Sequence, residues 1–341
     1  MVLQGRLWDW SGTATVKYAH GQENPVDLTE AFLQYRPVST IPWRLGARIG
    51  MFFPPISLEN TGIAWSSPYT LTSSAINSWV GEELKTFGGE AHLTHQLENG
   101  DRLGVFAAGL ANNDTAGALL TWRGWSLHDY ESTLHDSYPL PEGIGIQNVF
   151  RRQATLTRPY VEVDGRPGYY TGFSAERPDL FKFRGLYYDN RGNPDIVEKG
   201  QYAWHTYFWS LGFKAELPWD LTVIGQGMTG RTSMGRLRDE KRPFDVGYWA
   251  SSILLSKAFG VHRVSLRYDQ FGTDENDRLP QDDNREHGYG FTANYNLTIA
   301  KHHQFNFEVN HINKDRSARA KLGQATNQEE TLWQIAYRIF F

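Results

Sequence analysis

The sequence predicts an all-β chain: a transmembrane antiparallel β-barrel of about sixteen strands, formed as a single outer-membrane β-barrel domain over residues 1–341. Three observations predict it. Apolar and polar residues alternate through segments of about ten residues, the length a tilted strand needs to cross a bilayer. Short turns alternate with long polar loops, as in outer-membrane barrels. Aromatic residues reach 14%, with 12 Trp, 17 Tyr and 19 Phe, and rings with a polar edge settle where hydrocarbon meets water. A helical membrane protein is excluded, because the mean hydropathy is −0.52 and no apolar run approaches the roughly 20 residues that a spanning helix requires.

From the amino end, strands are read near Thr13–Ala19, Leu28–Arg36, Trp43–Phe53 and Lys85–Leu97. Others follow near Arg102–Leu110, Ala118–Trp125, Gln153–Val163, Tyr169–Ala175, Leu180–Tyr188, Tyr202–Glu216 and Leu221–Thr229. Val246–Lys257 and Val261–Gln270 lead into the three clearest runs. In the first of these, Tyr289, Phe291, Ala293, Tyr295, Leu297 and Ile299 interleave with Gly288, Gly290, Thr292, Asn294, Asn296 and Thr298. In the second, Phe305, Phe307 and Val309 alternate with Gln304, Asn306, Glu308 and Asn310. The closing run sets Trp333, Ile335, Tyr337, Ile339 and Phe341 against Gln334, Ala336 and Arg338. A period of two places one set on each face of a strand.

Short turns at Glu176–Asp179, Leu217–Trp219, Ala258–Gly260 and Ala300–His302 form one rim, read as periplasmic. Long polar segments at Asp189–Lys199, Arg231–Arg242, Gly272–Arg285 and Asp315–Gln328 form the other. An even count puts both termini on one side and assigns Ser126–Asn148 to the short-turn rim, either as a small plug or as the mark of a miscount nearby. The chain opens on MVLQGRLWDW, without the basic and apolar regions of a secretory signal, so an export signal is expected to have been removed.

If the apolar set faces lipid, its neighbours line an interior too wide for side chains to fill, and an aqueous channel follows. This sends Arg36, Arg44, Arg48, Arg123, Lys182, Arg184, Arg263 and Arg267 inward, with Lys214 and Arg338. Inward acids are fewer: Glu30, Glu90, Glu176, Glu216, Asp269 and Glu308. Guanidinium groups in a water-filled constriction lower the energy of a passing anion, which gives a weak anion preference. The alternative is a structural network in which basic and acidic groups pair and favour neither sign. The net charge of −4 provides no global field for nucleic acid.

Pro54–Val80 differs from the other loops, with many hydroxyls and almost no charge. We expect it to fold inward as a constriction, with Trp65, Tyr69 and Trp79 offering flat faces; the alternative is packing over the rim or against a neighbouring subunit.

Three stretches carry a family resemblance: TEAFLQYRP at Thr29–Pro37, LGARIGMFFPPISLEN at Leu45–Asn60 and a following Ser-Ser-Pro-Tyr, joined by the aromatic closing strand. Together they resemble the phosphate-selective porin superfamily, the polyphosphate and phosphate porins. The resemblance implies a sixteen-stranded homotrimeric barrel whose selectivity rests on a ladder of arginines, placed here at Arg36, Arg44, Arg48 and Arg123, and on a cluster of inward lysines. No such lysine cluster is present in Pro54–Val80.

The function expected is an outer-membrane porin forming a water-filled channel for passive diffusion of small hydrophilic solutes, anions favoured. A substrate-selective channel for sugars or aromatic acids is the second reading, and a lipid-modifying enzyme or adhesin with the barrel as platform the third. No G-x-S-x-G elbow, H-E-x-x-H pattern or phosphate-binding Gly-rich loop is present, so no catalytic residue, cofactor or metal is assigned. Absence of Cys removes thiolate chemistry. The acidic run Asp274, Glu275, Asp277, Asp282 and Asp283 reads as solvated loop, with Ca²⁺ or cation-bridged lipopolysaccharide as its alternative partner.

Overall fold

The computed structural model describes residues 1–20, 22–141, 150–277, 279, 282–300 and 302–339. Phe341, Lys301 and the last part of Ser126–Asn148 lie outside the described residues. One antiparallel sheet of fifteen strands follows the chain order without crossovers. Its strands are β1 Val2–Leu7, β2 Trp10–Tyr18, β3 Val26–Tyr35, β4 Trp43–Phe52, β5 Thr86–Gln96, β6 Arg102–Ala111, β7 Gly168–Arg177 and β8 Phe181–Asp189. They continue as β9 His205–Leu217, β10 Leu221–Met234, β11 Phe244–Phe259, β12 His262–Glu275, β13 Glu286–Ile299, β14 His303–Arg316 and β15 Asn327–Ile339.

Among the described residues this sheet has fifteen strands, in keeping with the expected about sixteen, and two of the expected strands are corrected. Ala118–Arg123, within the expected strand Ala118–Trp125, is a short helix, α2. Its sequence ALLTWR is an apolar run rather than an alternation, and it is flanked by Gly117 (φ 99°) and Gly124 (φ 87°), at positive φ that favours glycine. Gln153–Val163 supplies only Leu156–Thr157, paired with Tyr138–Pro139 in a separate two-stranded sheet. Val2–Leu7 was not expected and adds β1, joined to β2 by a tight hairpin with Trp8 at φ 54°. Losing two strands and gaining one moves the described part of Ser126–Asn148 to the long-loop rim, inside the connection between β6 and β7. With an odd count, β1 and β15 run in the same direction; they form the two sheet edges, and no pairing between them occurs among the described residues.

Outward positions are apolar and exposed, as at Leu45 (57%), Ile49 (59%), Trp333 (78%) and Ile335 (77%). A row of rings, Tyr169, Tyr187 and Trp209, runs across neighbouring strands near the long-loop end, at centroid spacings of 6.1 and 4.7 Å. Trp43 with His95 (4.3 Å) and Phe305 with Tyr337 (5.0 Å) mark the short-turn end. An apolar band between two aromatic belts is what a bilayer selects on a barrel wall.

The sheet wraps around residues 53–85. Phe53 N–H donates to Glu30 on β3 (3.2 Å), and Arg184 on β8 donates to the Pro55 carbonyl (3.0 Å). Gln226 on β10 donates to the Ile56 carbonyl (3.2 Å), Asp269 on β12 accepts from Ala75 N–H (3.0 Å), and Glu308 on β14 accepts from Leu71 and Thr72 N–H (2.6 and 2.8 Å). Strands that far apart in one sheet reach one segment only if the sheet curves round it. Helix α1, Ala75–Glu83, lies in this interior, capped by Ser74 and buried along its whole length. Its Ile76, Trp79 and Val80 join Phe208, Met228, Tyr248 and Phe271 of the wall in the main apolar cluster.

Candidate functional site

The inward segment does not fill the interior evenly. Against β9–β14 it lies flat on the wall, and inward-facing Thr206, Phe208, Tyr248, Asp269, Phe271 and Thr292 are each at most 2% exposed. Against β3–β8 inward side chains stay solvated: Gln34, Arg48, His92, Thr94, Ser174, Glu176, Lys182 and Arg184 are half-buried and Arg36 and Arg44 are exposed. A cavity of about 530 Å³ occupies this space, on the short-turn side of Pro55. Its charged lining is six cations, Arg36, Arg44, Arg48, Arg102, Lys182 and Arg184, against two carboxylates, Glu90 and Glu176.

Each cation is positioned differently. Arg48 is held by a bidentate pair with Glu90 (2.9 and 3.0 Å), lies over the Phe52 ring (3.8 Å) and is neutralised in place. Tyr170 donates to the same carboxylate (2.6 Å), completing a satisfied buried set. Arg102 and Lys182 share Glu176, both at 3.4 Å. Arg184 donates to the Pro55 and Ser57 carbonyls (3.0 and 3.4 Å) and Arg44 to Gln96 (2.7 Å), so their hydrogen bonds go to neutral acceptors that leave the charge uncancelled. Arg36 donates to the Gln34 amide oxygen (3.0 Å). Phe106, edge-on to Tyr170 at 6.3 Å, and Pro37 supply the apolar part of the lining.

Five of the sequence-derived residues, Arg36, Arg44, Arg48, Lys182 and Arg184, thus meet at one cavity. The other three lie elsewhere. Arg123 sits on α2 rather than on a strand and grips Glu82 of α1 (2.7 Å for one of two bonds). Arg267 is fully buried, pairs with Asp269 (2.7 Å) and donates to the Thr72 and Ser73 carbonyls (2.7 and 2.8 Å), which fastens the inward segment to β12. Arg263 donates to Ser256 (2.9 Å) and lies 5.4 Å from the Tyr69 ring centre.

The expected constriction aromatics pack into protein. Trp79 is 2% exposed and edge-on to Trp125, Phe208 and Tyr248. Trp65 stacks on Phe53 (4.2 Å), and Tyr69 is buried beneath Lys214 and Arg263. Residues Arg102, His92 and Phe106 were missed as lining, although the signal was present: exposed Leu103 and Val105 fix the parity of β6 and send Arg102 and Phe106 inward.

The second long connection, residues 112–167, closes over α1. The Glu83 carboxylate, fully buried, accepts from Leu119 (2.8 Å), Gly117 (3.2 Å) and Leu120 (3.3 Å) N–H at the start of α2, and from Trp79 Nε1 (2.6 Å). Burial raises it to about 7 despite these donors. Burial acts the same way on neighbouring Glu82, but His128 and Arg123 outweigh it and hold that carboxyl near 2.

Among the described residues, Asp114, Glu162 and Asp164 gather carboxylate oxygens within 4.8 Å of one another. Backbone N–H groups of residues 163, 164, 112 and 165 already satisfy Asp114 and Glu162.

No protein-family model matches the sequence, and no curated protein does. Solved structures do. The outer membrane channel DcaP of Acinetobacter baumannii superposes with a TM-score of 0.55 at 10% identity, covering 99% of this chain and 83% of that one. OmpT, an outer membrane protein of Vibrio cholerae, gives 0.51 at 9% identity over 98% and 85% of the two chains, and its form lacking loop L8 gives 0.52. At such identities the likeness is one of fold: this chain has the architecture of outer-membrane β-barrels.

Proposed function

We propose that the chain is an outer-membrane porin, passing small hydrophilic solutes passively and favouring anions. The observation that carries this reading is the cavity along β3–β8, the solvated part of the wall, where six cations face two carboxylates. In such a space the low-dielectric wall focuses the field of Arg36, Arg44 and Arg184, whose charges are not cancelled locally, and an entering anion replaces part of its hydration with guanidinium donors. Weak, multiple contacts suit passage better than one tight site. The reading asks no bond chemistry of the protein, and outer-membrane lipid, lipopolysaccharide and two further copies in a homotrimer are its proposed surroundings. The fold shared with an outer membrane channel supports it.

A channel selecting sugars or aromatic acids through the inward segment has less support, since Trp65, Tyr69 and Trp79 pack into protein and leave Phe106 as the ring at the cavity. Swelling of proteoliposomes tests the proposal. Entry of small neutral sugars and faster entry of small organic anions than of matched cations is expected; proteoliposomes that swell in none of these would refute it.

A further inference from the structure

We propose that residues 127–138 form a movable strap that gates the passage between the long-loop rim and the cavity; this rests on the channel reading. The strap has little regular structure and bridges two bodies. On one side it holds the inward segment: Ser73 N–H donates to the His128 carbonyl (3.0 Å), Ser132 N–H to the Gly81 carbonyl (2.9 Å), Ser132 Oγ to the Glu82 carbonyl (2.7 Å), and Lys85 Nζ to the Ser132 carbonyl (2.8 Å). On the other it holds β2 and β3 and the loop between them. Leu134 N–H donates to the Leu28 carbonyl (2.9 Å), His135 N–H and ring meet Asp27 (2.8 and 3.1 Å), and Lys17 Nζ donates to the Glu131 carbonyl (3.0 Å). Gln22 reaches Tyr130 and Asp136 (2.8 and 3.0 Å), and Ser137 reaches Glu23 (2.9 Å).

A chain of contacts leads from the strap to the cavity. Lys85 beneath it is 1% exposed, between the rings of Phe53 and Tyr160 (4.6 and 4.7 Å). Phe53 in turn meets Glu30 through its N–H and Arg48 through its carbonyl (3.4 Å), and Arg48 lines the cavity. Strap, Lys85, Phe53 and Arg48 are therefore linked in order, and the last of them lines the open space. The seam is mostly polar: of the strap's apolar side chains only Leu127 is buried, while the Ser132 and Asp136 side chains are buried with hydrogen bonds. A seam of this kind exchanges its hydrogen bonds for water on opening, at small net cost for each. An apolar seam would resist opening in proportion to the area exposed.

The chain has no Cys, so a crosslink can be introduced at one place. Asp27→Cys with His135→Cys, whose side chains touch in the closed form, would be oxidised and reduced during planar-bilayer recording. Loss of conductance on oxidation, restored by dithiothreitol, is expected. In a second variant, Lys17→Met, longer open times are expected. Unchanged conductance with the crosslink verified by mass would overturn the gate while leaving the channel reading intact. An absence of conductance in wild type and in the reduced variant alike would overturn both.

Discussion

Arg267 shows how one residue type serves two ends. It reaches Asp269, Thr70, Thr72, Ser73 and Thr292 with no solvent exposure, so its charge is spent on holding the inward segment. Arg267→Ala is expected to cost about 3–5 kcal/mol, because it leaves Asp269 buried without its cation; a lowered denaturant midpoint checks this. Arg184 keeps an uncancelled charge at the cavity. Its replacement by Gln is expected to leave folding nearly unchanged and to lower the anion-to-cation permeability ratio roughly twofold, since one charge in a wet site is worth under about 1 kcal/mol. Glu83 gives a pH prediction. Its carboxyl, raised to about 7 by burial, favours the protonated form when folded, so its contribution to stability is full below the ordinary value near 4.5 and is lost as pH rises through 7. Thermal unfolding should be easier at pH 8 than at pH 5.5, by about 2 kcal/mol, and Glu83→Gln should flatten that difference.

At the scale of elements, alternation was a dependable guide where one face meets lipid and the other does not. The wall from β9 to β15 follows the expected segments because Phe305, Phe307 and Val309 against Asn306, Glu308 and Asn310 admit only one register. Between β6 and β7 that guide failed. Both faces of Ala118–Arg123 are buried inside the barrel, so its apolar run reflects an interior environment rather than a strand. Gly124 just past its end was the legible sign of a helix stop. The short β1 was overlooked because Gly5 and Arg6 interrupt its pattern. At the cavity, residue parity placed five arginine and lysine side chains together, whereas Arg267 looked equivalent in sequence and only the packing of residues 53–85 over β12 separates it. The aromatics of that segment were legible as unusual, but not their partners: Trp79 meets Phe208 and Tyr248, more than a hundred residues away.

For the whole molecule, the inward segment divides the interior into a packed part along β9–β14 and a solvated part along β3–β8. Deleting Thr61–Asn77 should uncover the packed wall and raise single-channel conductance several-fold, because a barrel of this size encloses more space than side chains fill; conductance equal to wild type would show that the segment does not limit flow. The division also places six basic side chains on the water-filled side, and the anion preference depends on that asymmetry. The most direct measurement is the reversal potential of the purified protein in a planar bilayer under a KCl gradient. A sign showing chloride to be more permeant than potassium is predicted; a value at zero or of the opposite sign would contradict the anion path along β3–β8.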